Sequence, residues 1–371
     1  MIISVGVGYG MQKEIKDKIS SFESHITIQS FNNIINQNSS NPISPNKFFI
    51  DYLKSIDEIK NIESVISKFG IVRTTKDFDG IFFKGLESNY DFNNIKTYLV
   101  EGNIPVFSEN FSNEVLISKI LADKLKLKLN GSFQMVFSKS EKSSPSVIKL
   151  VVVGIYDSGF EELDSKFIFG DIKQIRRILK WDDNQFSSLE IYLHDQKFLD
   201  SISETIYLNS PSDYDVLNVK EKYFSIYEWV ELFNKNIYAI IFIMILVASV
   251  NIISVLLVLI LERTNMIGIL KTLGLPDKSL QKFFIYTSSY LILIGILLGN
   301  MIGLLILYLQ KKYKLISLDP SIYYVDTVPV FIEFKDILSL NIIVFFLCVI
   351  SIFIPSKLVS TVNPKDSIKF N

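Results

Sequence analysis

Histidine and cysteine, two residue types that commonly carry chemistry, are rare and scattered in this chain of 371 residues. His25 and His194 lie far apart, with no Cys/His cluster at either, so no zinc site is indicated. Cys348 is the single cysteine, which excludes an intrachain disulfide. The chain contains no Gly-x4-Gly-Lys-Ser/Thr loop, so it does not bind ATP by that route. We predict no catalytic residue, no metal and no cofactor, and hence a protein that is not an enzyme.

The charged residues do not indicate a further binding or catalytic site. The formal net charge is −1, from 38 basic and 39 acidic residues, so we predict no nucleic-acid partner. An acidic group lies in the loop region 157–164. Its members are Asp157, Glu161, Glu162 and Asp164. We interpret this group as a solvated surface, because no other catalytic or metal-binding residue type accompanies it.

Three long apolar segments indicate a membrane protein. They lie near residues 237–261, 283–309 and 337–356, and each reaches the roughly 20 residues that a transmembrane helix needs. Three buried core helices of this kind within one stretch of chain would be unusual. The segments contain no charged residue, which disfavours a proton- or ion-coupled transporter. We therefore predict three complete transmembrane helices in a permease-like region, 234–371.

The N-terminal segment, residues 1–22, predicts the outer end of a further membrane helix. Residues 1–7 are apolar but too short to span a bilayer. Apolar residues at helical spacing follow, which indicates an amphipathic stalk. They are Met11, Ile15, Ile19 and Phe22. We expect the given start to lie within a truncated first transmembrane helix; the alternative is a frayed N-terminal arm.

Between these parts, residues 23–233 have the character of a water-soluble domain. Strand patterns alternate with helical patterns, which predicts an inserted α+β domain. The predicted strands are 26–29, 78–83, 114–117, 150–156 and 189–193, and the predicted helices are 46–56, 119–127, 171–181 and 196–207. Ser138–Ser146 is rich in serine and lysine and indicates an exposed hairpin tip.

Basic residues set the predicted orientation. The segment after the first complete span and the C-terminal tail must lie on one side, and together they carry seven basic residues, against four in the loop 310–336. The positive-inside rule therefore places that segment and the tail in the cytoplasm and the large domain outside.

Two features of the membrane region suggest function. Gly295, Gly299 and Gly303 recur every four residues, a spacing that lets two membrane helices pack closely. The cytoplasmic segment 262–274 is short and amphipathic: Ile267, Leu270 and Leu273 share one face, with Gly274 as the predicted C-cap. From the residues alone, this helix could lie on the bilayer surface or dock on a partner.

The same segment resembles the coupling-helix signature of FtsX/MacB-type ABC transporter permeases. The resemblance continues through the glycine helix, the stretch Tyr-Tyr-Val-Asp-Thr-Val-Pro-Val at 323–330 and the tail at Pro355 and 363–369. Residues 5–19 and 25–28 resemble the exit of that family's first helix. Residues 323–330 are similar to the lipoprotein-releasing, LolC/LolE-like subgroup.

The resemblance implies a membrane helical bundle with an inserted periplasmic, MacB-like α+β domain, in the bacterial inner membrane. It implies a pair of permeases, identical or paralogous, with separate ABC ATPase subunits that hydrolyse ATP. The function implied is release of lipoproteins to a periplasmic carrier protein. The implied ATPase-coupling residues are Glu262, Arg263, Ile267, Leu270, Lys271, Leu273 and Gly274.

The chain departs from this family in two places. The family usually has an acidic residue where Met266 stands, and its carrier-binding loop is longer than the segment around Pro145, the nearest candidate for a carrier contact. Two alternative functions stay open: a mechanotransmitting permease of a MacB-type efflux system, and an FtsX-like regulator of cell-wall hydrolases.

Overall fold

The computed structural model describes residues 1–35, 41–74, 77–108, 111–138 and 144–356. The chain divides into two compact units. The helical unit comprises Met1–Glu14, Trp229–Leu318 and the described residues from Thr327 onward. The α/β unit comprises Ile15–Glu228 and Asp319–Asp326. Helices α1 (Ile2–Phe22) and α10 (Phe224–Glu262) each contribute residues to both units.

The α/β unit is built on strands from most of its length. The strands are β1 (Ile26–Ser30), β2 (Ile59–Arg73), β3 (Phe78–Leu86), β4 (Leu99–Gly102), β5 (Glu114–Ser118), β6 (Ser132–Phe137), β7 (Ser146–Tyr156), β8 (Phe167–Asp171), β9 (Ser188–Leu193) and β10 (Tyr214–Asn218). The helices are α2 (Phe31–Ile35), α3 (Lys47–Lys54), α4 (Asn93–Lys96), α5 (Lys119–Leu125), α6 (Glu161–Asp164), α7 (Ile172–Leu179), α8 (Leu199–Asn209), α9 (Val219–Lys222) and α13 (Pro320–Tyr323). A 3₁₀ turn, Gln196–Phe198, precedes α8.

The strands form one mixed sheet in the order β10-β1-β9-β2-β3-β8-β5-β7-β4, and β6 pairs with β2 and β7. Among the described strands, β3 with β8 and β5 with β7 are parallel, and the other pairs are antiparallel. The long strand β2 joins the two halves, because its first part pairs with β9 and its second part with β3 and β6. The predicted α+β character of this part of the chain is confirmed.

Helix α7 shows how the core of this unit is specified. Asp171 accepts a hydrogen bond from the Lys173 backbone N–H at 2.9 Å and so caps the helix. Ile172, Ile175 and Ile178 are buried against the sheet in one hydrophobic cluster. Burial of such a stripe is the main source of helix stability in water.

Helix α1 is regular from Ile2 to Phe22, so the alternative of a frayed arm is wrong. The predicted apolar stripe of this helix is buried along its whole length. Its members are Met11, Ile15, Ile19 and Phe22.

The helical unit consists mainly of long apolar helices. Besides the first part of α1 and most of α10, it contains α11 (Thr264–Thr272), α12 (Asp277–Tyr313) and α14 (Phe334–Ser356). Among the described residues, three helices are long and apolar enough to cross a membrane, namely those at Phe224–Glu262, Asp277–Tyr313 and Phe334–Phe353. Each contains one of the predicted spans or most of it.

Candidate functional site

The short helix α11 connects two of the membrane-length helices and holds three of the seven predicted coupling residues, Ile267, Leu270 and Lys271, while the other four flank it. It ends in a Schellman motif: Gly274 has φ of +90°, its N–H donates to the Lys271 carbonyl at 3.0 Å, and the Leu275 N–H donates to the Leu270 carbonyl at 3.0 Å. Only glycine adopts such a φ without strain. The predicted role of Gly274 in ending this helix is confirmed.

The apolar residues of α11 do not share one face, which corrects the sequence prediction. Ile267 is fully buried, and Leu270 packs against the same cluster of α10, α12 and α14 side chains. Leu273 is 78% exposed and Ile269 is 53% exposed. Helical geometry explains the difference, because Ile269 and Leu273 are four residues apart and so share a face that Ile267 does not. The exposed apolar face of α11 therefore consists of Ile269 and Leu273.

Charged residues lie at both ends of α11. Glu262 and Arg263 are exposed where α10 ends and α11 begins. Lys271 is largely buried by its neighbours and pairs with Asp277, the first residue of α12, at 3.0 Å. Glu262 and Arg263 thus lie open to a partner, whereas Lys271 helps to fix the turn between α11 and α12.

The glycine stripe of α12 borders an open apolar groove. Among the described residues, no atom lies within 4 Å of a Cβ built on Gly295 or Gly299, and Gly303 meets only Ile2, at 3.6 Å. The groove has a volume of about 510 Å³ and is lined mainly by apolar side chains of α1, α10, α12 and α14. The described residues of this chain therefore do not supply the helix that the spacing predicts for Gly295 and Gly299.

Close packing occurs instead at glycines of α1, to which sequence reasoning gave no role. A Cβ on Gly6 would lie 2.8 Å from Leu307, and one on Gly8 would lie 2.2 Å from Ile237. A Cβ on Gly10 would lie 2.4 Å from the Pro329 carbonyl oxygen. The spacing of Gly6 and Gly10, four residues apart, was a sequence signal that could have predicted close packing on this helix.

The predicted carrier contact, Pro145, is exposed just before β7 begins. Residues 139–143 of the predicted hairpin tip lie outside the described residues, as does the C-terminal tail from 357. The strands on either side, β6 and β7, pair antiparallel from Ser132↔Val151 to Phe137↔Ser146, which confirms the hairpin.

The sequence suggested a solvated acidic loop, but the structure shows that one of its carboxyl groups is buried. Asp164 is completely buried and accepts hydrogen bonds from the Ser158 hydroxyl at 2.6 Å and the Ser158 N–H at 3.1 Å. Burial raises the pKa of Asp164 to about 6, although both hydrogen bonds act to lower it. The carboxyl group thus closes a turn. In the part of the chain that the structure describes, no three His, Cys, Asp or Glu side chains converge as metal ligands.

Comparison with known families decides what the helical unit is. Residues 238–364 match the family model described as "FtsX-like permease C-terminal". The C-terminal part of the chain is an FtsX-like permease domain. This permease domain contains the exposed face of α11 and the glycine stripe of α12.

Several relatives carry lipoprotein-releasing names, and two of the three described below align over nearly the whole chain. The "Lipoprotein-releasing system transmembrane protein LolC" of Buchnera aphidicola subsp. Schizaphis graminum is 26% identical over 369 residues, which cover 95% of this chain and 86% of the relative. The protein of that name from Neisseria meningitidis is 24% identical over 237 residues, 61% of this chain and 56% of the relative. "Lipoprotein-releasing system transmembrane protein LolE" of Haemophilus influenzae is 19% identical over 381 residues, 98% and 89% of the two chains.

Solved structures give a weaker likeness. The periplasmic region of MacB from Actinobacillus actinomycetemcomitans aligns with 56% of this chain and 95% of its own, at 13% identity and a TM-score of 0.38. The extracellular domain of the transporter YknZ aligns with 52% and 99%, at 17% identity and a TM-score of 0.33. Both scores are low, so the likeness does not define the fold of the α/β unit.

Proposed function

We propose that this chain is the membrane permease of an ABC system that releases lipoproteins from the bacterial inner membrane to a periplasmic carrier protein. The observation that carries the proposal is the alignment with a lipoprotein-releasing protein over 95% of this chain and 86% of the relative. An alignment of that extent covers the α/β unit as well as the permease domain. On this proposal the α/β unit lies in the periplasm.

The energetics of the reaction require a separate energy source. Each buried CH₂ contributes about 0.8 kcal/mol to membrane anchoring, so a lipoprotein with three long acyl chains is held by tens of kcal/mol. The sequence contains no Gly-x4-Gly-Lys-Ser/Thr loop with which this chain could bind ATP. We therefore assign ATP hydrolysis to a partner ABC ATPase.

The ATPase partner would dock on the exposed face of α11. Ile269 and Leu273 offer apolar contact there, and Glu262 and Arg263 offer charges at its edge. Leu270 and Ile267 act behind this face, because they anchor α11 to the membrane-length helices. The ATPase would thus move α11, and α11 would move α10 and α12.

Two further partners belong to the proposal. A second permease, identical or paralogous, would supply a helix for the open stripe at Gly295 and Gly299, since close helix contacts in lipid favour small residues. The periplasmic carrier would contact the β6–β7 hairpin near Pro145, which is exposed.

A reconstituted release assay tests the function. The chain is placed in liposomes with its ATPase, its partner permease and a triacylated lipoprotein, and transfer to the soluble carrier is measured with ATP and with a non-hydrolysable ATP analogue. We expect transfer with ATP only. ATP hydrolysis without transfer would overturn lipoprotein release and favour the MacB-type or FtsX-type function.

A further inference from the structure

A cluster of buried charges lies where α1 ends and α10 begins. It contains Glu23, Lys84 and Glu190, whose side chains are each at most 4% exposed, together with the partly exposed Lys166 and Lys222. All five belong to the α/β unit. Buried ions are costly and are found paired, and a buried ion pair often adds little net stability.

Glu23 joins the ends of the two helices. It directly follows Phe22, the last residue of α1. Its carboxylate accepts a hydrogen bond from Lys222 Nζ at 2.6 Å and another from the Tyr223 hydroxyl at 2.6 Å. Lys222 and Tyr223 immediately precede α10, which begins at Phe224. One carboxylate therefore bridges two points of the chain about 200 residues apart.

Lys84 fastens this bridge to the sheet. It lies on β3, donates to the Phe22 carbonyl at 3.2 Å and pairs with Glu190 of β9 at 2.8 Å. Its distance to Glu23 is 4.0 Å. A cation at the carbonyl end of a helix also stabilises the helix dipole. The end of α1 is thus tied to two strands that flank β2.

The charges of the cluster favour a permanently ionised Glu23. Burial alone would raise the pKa of its carboxyl group, but Lys222, Lys84 and Lys166 hold that pKa below its ordinary value. The contacts therefore persist across the physiological pH range.

The type of contact distinguishes this joint from ordinary packing. Hydrophobic contacts are non-directional. Charge-assisted hydrogen bonds are short and directional. The helix ends at Glu23 are consequently held in one geometry with respect to each other and to the sheet.

We propose that Glu23 is a positioning residue that makes α1, α10 and the sheet of the α/β unit move together, so that movement of the two helices is passed to the sheet. This inference rests on the proposed function, because it is the ATPase that would drive the helices. Residues Lys222 and Tyr223 transmit the movement on the α10 side, and Lys84 transmits it on the sheet side.

The test separates the α10 side from the rest of the cluster. Lys222→Met with Tyr223→Phe removes both links from Glu23 to α10, while Lys84 and Lys166 still balance the carboxylate. Lys220→Met is the matched control. Lys220 lies two residues before Lys222, and its replacement breaks only an exposed ion pair with Asp200. Lipoprotein released per ATP hydrolysed is measured in the reconstituted complex. We expect the double variant to lower this ratio at least about fivefold, the low end of ordinary coupling between two sites, and Lys220→Met to leave it unchanged.

A second measurement does not depend on cargo. In the same complex, ATP binding should change the amide hydrogen exchange of β3 and β9, the strands that carry Lys84 and Glu190, in the wild type. This change should be lost in the double variant. If the double variant fails to fold, Tyr223→Phe alone, which removes one hydroxyl group, should reduce both readouts. If a folded variant keeps both the wild-type release ratio and the wild-type exchange response, the proposed positioning role of Glu23 is overturned. Absence of release in the wild type, with the exchange response present, would instead overturn lipoprotein release.

Discussion

At the scale of single residues, Glu63 is a buried carboxyl group on β2 that makes stability depend on pH. Its side chain is buried and accepts a hydrogen bond from Asn61. Burial is the main cause that raises its pKa to about 7; the nearby carboxylates Glu87, Glu190 and Asp91 act in the same direction, and the hydrogen bond from Asn61 acts against them. A group whose pKa is higher in the folded state stabilises the fold below its unfolded pKa, and this stability is lost as pH rises through about 7.

Glu63→Gln should therefore raise the melting temperature at pH 8 and leave it nearly unchanged at pH 4.5. The free energy of unfolding gained at pH 8 should be about 3 kcal/mol at most, from about 1.4 kcal/mol per pKa unit. Thermal unfolding of the purified chain at both pH values measures it. Glu101→Gln, at an exposed position, is the control. Equal effects of Glu63→Gln at the two pH values would contradict the assignment.

Gly10 is closely packed and Gly295 borders an open groove, so alanine substitutions at the two positions should affect stability differently. Gly10→Ala should lower the melting temperature, because its Cβ would overlap the Pro329 backbone, which cannot move aside as a side chain can. Gly295→Ala should leave it unchanged or raise it slightly, since its Cβ enters the open groove and alanine is the better helix former by about 1 kcal/mol. Melting of both variants in detergent measures this. Equal losses would mean that Gly295 is packed in the isolated chain.

At the scale of elements, substitutions in and next to α11 test whether the ATPase docks there. The sequence alone did not distinguish the partly buried Leu270 from the exposed Leu273. Leu273→Glu should abolish copurification of the ATPase with little change in melting temperature, since Leu273 is exposed. Leu270→Glu should lower the melting temperature, because a charge would enter the cluster that anchors α11. Copurification at the wild-type level with Leu273→Glu would exclude this face as the docking surface.

Particular elements show what the sequence could predict and why the rest required the structure. The predicted strands at 26–29, 78–83, 114–117, 150–156 and 189–193 all form, because their apolar patterns are short and clear. Strand β2 was missed although it is 15 residues long. Up to Val65 the buried residues of β2 have odd numbers, and from Ile66 onward they have even numbers. The change occurs where β2 stops pairing with β9 and begins to pair with β3. The regular alternation of buried and exposed residues, by which a strand is recognised in a sequence, is therefore interrupted.

Local sequence patterns likewise predicted only part of the candidate site. The C-terminal stop of α11 follows from glycine chemistry and was predictable, whereas which side of α11 is covered depends on α10, α12 and α14. The contact among Glu23, Lys222 and Tyr223 joins residues about 200 positions apart, and no local pattern indicates it.

At the scale of the whole molecule, the order of the elements predicts a topology. Helix α10 is long enough to cross a membrane once, and it separates the α/β unit from α11 along the chain. The basic residues after this span favour the cytoplasm for α11. We therefore expect the β6–β7 hairpin and α11 to lie on opposite sides of the membrane.

Two cysteine reporters test this topology in a background in which the native Cys348, which is buried, is replaced by alanine. Pro145→Cys should react with a membrane-impermeant maleimide added to intact spheroplasts, because Pro145 is exposed and predicted to lie outside. Leu273→Cys should react only after the membrane is permeabilised, since Leu273 is exposed on α11 and predicted to lie inside. The Cys348→Ala background without a reporter gives the baseline. Labelling in the reverse order would invert the orientation and would place the proposed ATPase-docking face on the side where no ATPase can reach it.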